Sequence, residues 1–180
     1  MSKYTPTFVF SSIYDIDLDK LYAQGKRIII SDLDNTLLPY YQLDATRELT
    51  TWKKKLNMAG LKLHIITNNN DERIKKLMKT FEVDGYLTKA NKPSPKKLKA
   101  YLLTNNIKLD ETIFLGDQLV TDIACANNLG IDSILVKTID NKHQKWYTKI
   151  NRLRERSIIN KMMKEKPEIA SAIKAFKETD

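Results

Sequence analysis

Five short apolar runs constrain the fold more than any single residue does. Ile28-Ile29-Ile30, Leu61 to Ile66, Gly85 to Thr88, Thr112 to Leu115 and Ser133 to Val136 have the length, and mostly the β-branched content, of strands. The stretches between them read as helices. One runs from roughly Asp44 to Met58 and ends at Gly60, and the next from Asp71 to Phe81. Pro95 to Asn105 follows with Ser94 as its N-cap, and the last runs from Asp117 to about Asn128, closed by Gly130. Strands separated by helices of about 10 to 15 residues form βαβ units, which build a mainly parallel sheet. Asp15 to Ala23 adds a short helix ahead of the first strand. From Lys142 the pattern is helical again, with Ile150, Leu153, Ile158 and Met162 as an apolar stripe. Pro167 interrupts it before a last short helix from Glu168 to Lys177.

At 180 residues, with 42% hydrophobic residues, the chain can bury one core. The expected division is a domain over 1–163 and a basic helical appendage over 164–180. No apolar run approaches the roughly 18 residues that cross a bilayer. The N-terminal residues lack the apolar core of a secretory signal. A lone cysteine, Cys125, excludes an internal disulfide and fits a reducing compartment. The expected location is therefore cytoplasmic. The net charge of +9 is uneven: the 44 residues from Lys137 hold 12 Lys and Arg against 6 Asp and Glu. Such a tail either serves as a solvated face or draws the chain to lipid headgroups or nucleic acid.

The chemistry gathers where the strands end. Asp32 and Asp34 follow the first strand, Thr67 and Asn68 the second, Lys92-Pro93 the third, and Asp117 with Asp122 the fourth. In an open parallel sheet these positions share the edge where ligands bind. Several carboxylates with one lysine and a hydroxyl are what a divalent ion and a phosphate require, and hard oxygen ligands suit Mg²⁺.

The set resembles the haloacid dehalogenase (HAD) superfamily of phosphohydrolases motif for motif. Asp32-Leu33-Asp34-Asn35-Thr36 matches its first motif, Thr67 its second and Lys92 its third, with Lys89 as the competing lysine. Gly116-Asp117-Gln118-Leu119-Val120-Thr121-Asp122 matches its fourth. Pro6, Ile13-Tyr14-Asp15-Ile16 and the Leu21 to Gly25 approach look like a capless branch. That branch includes the bacterial YqeG-type phosphatases and the mitochondrial phosphatidylglycerophosphate phosphatases. The resemblance implies a Rossmannoid α/β/α sandwich without a cap domain and a Mg²⁺-dependent phosphomonoesterase. It makes Asp32 the nucleophile, Asp34 the general acid and base, and Thr67, Asn68 and Lys92 the phosphate-binding groups. Asp32, the backbone carbonyl of Asp34, Asp117 and Asp122 would form the metal site, Asp122 either as a ligand or as an orienting group.

Thr36 to Thr67 and Thr67 to Lys92 are too short to hold a lid domain, so the site should be open. That favours a bulky or membrane-held substrate, or closure by another subunit of an oligomer. The substrate the resemblance favours is phosphatidylglycerophosphate, met at the inner face of a membrane by peripheral contact. The alternatives are a phosphatase of another phosphorylated substrate and an idle scaffold recruiting RNA or membrane through its basic tail. All candidate catalytic residues lie at or before Asp122. His64 reads as a packed core or interface histidine, Trp52 as core, and His143 has no partner pattern.

Overall fold

The computed structural model of the chain describes residues 3–140 and 146–178. Its elements run β1 (Phe8–Phe10), α1 (Leu18–Ala23), β2 (Ile28–Ser31), α2 (Arg47–Met58), β3 (Lys62–Ile66), α3 (Asp71–Leu77) and β4 (Gly85–Leu87). Then come α4 (Lys96–Thr104), β5 (Thr112–Gly116), α5 (Ala124–Leu129), β6 (Asp132–Val136), α6 (Trp146–Glu165) and α7 (Pro167–Glu178). The six strands form one parallel sheet in the order β1-β6-β5-β2-β3-β4. β2 lies near its middle, flanked by β5 and β3, so the ends of three successive neighbours meet around Asp32.

Alternation along the strands sorts the core onto two faces. Ile29, Leu63, Ile113 and Ile134 point to one face, against Leu49, Leu56, Ile74 and Leu77 of α2 and α3. Ile30, Ile66 and Phe114 point to the other, against Leu98 and Leu102 of α4 and Cys125 and Ala126 of α5. Helices therefore cover both sides, which makes a three-layer α/β/α sandwich.

A third cluster was not expected. Leu135 of β6, with Leu119 and Ile123, packs on Ile159 and Met162 of α6 and on Ala170 and Ile173 of α7. Residues of the stretch expected as an appendage from 164 are thus fully buried against the sheet domain. The cause is an α6–α7 hairpin turned at Pro167, whose small Ala170 allows close approach. The expected stripe on α6 is also shifted. Leu153 is 66% exposed and Ile159 takes the inward position, while the Ile150 side chain and His143 lie outside the described residues.

Other differences are local. β1 was not anticipated, because Phe8-Val9-Phe10 is too short to stand out; it is held by pairing with β6. Pro95 occupies the N-cap position of α4, so Ser94 does not cap it. The segment after β5 begins as a π-helical turn over Leu119–Ile123 before α5 continues it. Gly130 ends α5 in the left-handed conformation at φ 71°, as its sequence position implies. His64 is buried, its Nδ1 2.7 Å from the Tyr101 hydroxyl, and Trp52 lies in the core. No helix among the described residues is long and apolar enough to cross a membrane.

Candidate active site

The end of β2 delivers Asp32 and the loop after it Asp34; β5 ends at Gly116 and delivers Asp117. The π-helical turn brings Asp122 back over Gly116. A β-carbon built on Gly116 would lie 2.4 Å from Asp122 Cβ, so only glycine permits this approach. The result is a buried cluster in which carboxylate oxygens of Asp32, Asp117 and Asp122 lie within 4.8 Å of one another. Lys92 is buried beside them, its Nζ 2.7 Å from Asp32 Oδ1 and 2.7 Å from Asp122 Oδ1. The bond to Asp32 is well directed, whereas the contact with Asp122 is ionic without hydrogen-bond alignment. Of the two candidate lysines, Lys92 reaches the cluster, whereas Lys89 is exposed, with φ 48° and its N–H donating to the Asn69 carbonyl.

Each cluster member is held by neighbours. Asp117 accepts from the Thr36 hydroxyl at 3.1 Å and the Thr138 hydroxyl at 3.0 Å. Asp122 Oδ2 accepts from the Gln118 N–H at 3.1 Å. Asn68 grips the Lys92 backbone from both sides, its Oδ1 accepting from the Lys92 N–H and its Nδ2 donating to the Lys92 carbonyl. One N–H of that amide remains for an anion. The Thr67 oxygen accepts from the Asn69 N–H at 3.0 Å, which leaves its own proton to donate. The Asp34 side chain stands apart from the carboxylate cluster. Its Oδ1 accepts from Arg73 Nε at 3.0 Å and its Oδ2 from the Asn69 amide.

The electrostatics follow from burying three carboxylates with one ammonium. Burial, then the Asp122 and Asp34 charges, push Asp32 up to about 7 despite Lys92. Burial, then the Asp122 and Asp32 charges, hold Asp117 well above the usual carboxylate range. Burial would lower Lys92, but Asp122 and Asp32 outweigh it and hold the ammonium above the usual lysine range. The set has an excess of hard oxygen donors over cations, which is the chemistry of a divalent-ion site.

Above the cluster opens a cavity of about 810 Å³. Asp32, Asp34, Thr67, Asn68, Lys92 and Asp122 line its floor. Asp117 sits behind them. One wall is the C-terminal half of α6, including Arg154 and Lys161, so the site extends past Asp122. Sequence reasoning missed Asn69, Arg73, Thr138 and this wall. Asn69 directly follows the Thr67-Asn68 pair and was within reach; Arg73, Thr138 and α6 arrive through tertiary packing and carry no local signal.

A family model described as HAD-hydrolase-like matches residues 89–156. A probable phosphatase, YqeG of Bacillus subtilis (strain 168), is 31% identical over 157 residues, covering 87% of this chain and 90% of that one. The chain belongs to the haloacid dehalogenase-like hydrolases. It is a phosphatase of that family, and Mg²⁺ is the metal its acidic cluster fits. Two solved structures share the fold at 18% identity. An uncharacterized protein from Listeria monocytogenes serotype 4b aligns over 66% of this chain and 84% of its own, with a TM-score of 0.54. A hypothetical protein from Xanthomonas campestris aligns over 74% and 76%, with a TM-score of 0.51.

Proposed function

We propose that this HAD-type phosphatase works through an aspartyl-phosphate on Asp32 and that its substrate is phosphatidylglycerophosphate. The observation that carries the mechanism is the buried cluster of Asp32, Asp117 and Asp122 beside Lys92, with Asp32, Asp122 and Lys92 lining one cavity. The Asp32 carboxylate attacks phosphorus and the ester oxygen leaves with a proton from Asp34; Asp34 then activates the water that cleaves the aspartyl-phosphate. Arg73 and Asn69 fix the direction of the Asp34 carboxyl for both proton transfers. Thr67 and Lys92 donate to the phosphoryl oxygens as charge develops on them. Asp32, the Asp34 carbonyl and Asp117 would hold the metal. Asp122, committed to Lys92 and to the Gln118 N–H, orients those groups. When bound, Mg²⁺ supplies the positive charge that lets a phosphate dianion approach these carboxylates.

The substrate rests on likeness and shape. YqeG spans most of the chain, the cavity is open without a cap, and the C-terminal part is basic. Peripheral contact with an anionic membrane belongs to the same reading. Of the cations that could make it, Arg156 is exposed, Arg154 faces the cavity, and the side chains of Lys149 and Arg152 lie outside the described residues. A panel of lipid, nucleotide and sugar phosphates tests the assignment. Phosphatidylglycerophosphate in mixed micelles should give the highest kcat/KM; a nucleotide or sugar phosphate turned over more efficiently overturns it.

A further inference from the structure

Helix α6 walls the cavity with one continuous face. Arg154, Ser157, Ile158, Lys161, Met162 and Glu165 recur at the spacing of side chains sharing one side of an α-helix, and all line the cavity. The helix is held in that attitude from behind. The Glu155 carboxylate accepts from the Leu119 N–H at 2.6 Å, and Ile159 is buried in the third cluster. Arg154 and Lys161 line the cavity without a hydrogen bond or ion pair among the described residues. Lys92, by contrast, lies at the floor, paired with Asp32 and Asp122. A phosphoryl group at Asp32 occupies only the floor. A cavity of about 810 Å³ is large enough to enclose a whole ligand.

We propose that Arg154 and Lys161 bind a second anionic group on the substrate, a phosphodiester, while Asp32 works on the phosphomonoester. This rests on the reading of the site as a phosphatase. The guanidinium of Arg154 suits two oxygens of a phosphodiester at once, and Lys161 adds a point charge one face-step further on. Glu165 stands beyond Lys161, so the face carries two cations against one carboxylate and keeps a net attraction for an anion. The partly buried Ile158 between the two cations offers apolar contact to the link joining the two anions.

Three substrates test it, each with Mg²⁺: glycerol 3-phosphate, its analogue carrying an added glycerophosphodiester, and the diacylated form of that analogue in mixed micelles. Wild type should prefer the diester-bearing analogue over glycerol 3-phosphate even without acyl chains. Arg154→Gln with Lys161→Gln should erase that preference through KM, on the order of tenfold for each charge-assisted hydrogen bond lost. Arg154→Lys should restore part of it and Glu165→Gln should raise it. A preference unchanged in the double variant, or one seen only with the acyl chains, overturns the assignment. Thermal unfolding of the variants identifies any change caused by misfolding. An aryl phosphate separates the two readings. If wild type cleaves it yet shows no diester preference, only this inference fails; if wild type cleaves no monoester at all, the phosphatase reading fails as well.

Discussion

Asp32 and Asp34 are two residues apart yet occupy different environments, and their substitutions should differ accordingly. Asp32→Asn keeps the shape but removes the proposed nucleophile, so turnover should fall by several orders of magnitude with thermal stability preserved. Asp34→Asn removes the proposed proton donor, so its penalty should be large on an alkyl phosphate and shrink on nitrophenyl phosphate, whose leaving group needs no proton. Equal penalties on both would contradict the acid role. Gly116→Ala tests the close approach of the π-helical turn. Its methyl would collide with the Asp122 side chain, and the variant should lose about 1–3 kcal/mol of stability together with activity. At this scale the motif positions could be read from sequence because short, local patterns fix them. What Arg73 and Thr138 do could not, since each reaches the site from an element far along the chain.

Among the elements, β3 shows how a half-buried ion pair supports its placement. Lys53 of α2 reaches Asp84 at 2.7 Å, and the same carboxylate oxygen accepts from the Leu63 N–H at 2.8 Å. Burial alone would raise Asp84, but Lys53 and that N–H hold it below its ordinary value of 3.8. A depressed carboxylate contributes stability above its unfolded value and loses it as pH falls through the folded one. Asp84→Asn should therefore cost about 2 kcal/mol at neutral pH, below the full penalty for breaking a buried pair because Asp84 is 30% exposed. The cost should begin to shrink as pH falls below 3.8 and disappear only below the still lower folded value, as chemical denaturation across pH would record. The strands and most helices were legible because apolar runs and glycine stops mark them. β1, the π-helical turn and the inward face of α6 were not. β1 exists only through its pairing with β6, the turn through the crowding of Asp122 on Gly116, and the α6 face through packing against Leu119 and Leu135.

For the whole molecule, the absence of a cap between the motifs leaves the sheet edge open, and α6 with its α7 partner supplies a wall from the other end of the chain. The fold and the catalytic floor follow from local sequence, while the rim depends on how the C-terminal hairpin docks. Adding a chelator to the folded protein should abolish turnover without unfolding it, because the core clusters do not depend on the metal. The most direct measurement is phosphate release from nitrophenyl phosphate by wild type and Asp32→Asn, each with Mg²⁺ and with excess chelator. Turnover should appear only in wild type with Mg²⁺. Comparable turnover by Asp32→Asn, or full wild-type activity in chelator, would contradict a metal-assisted aspartate nucleophile.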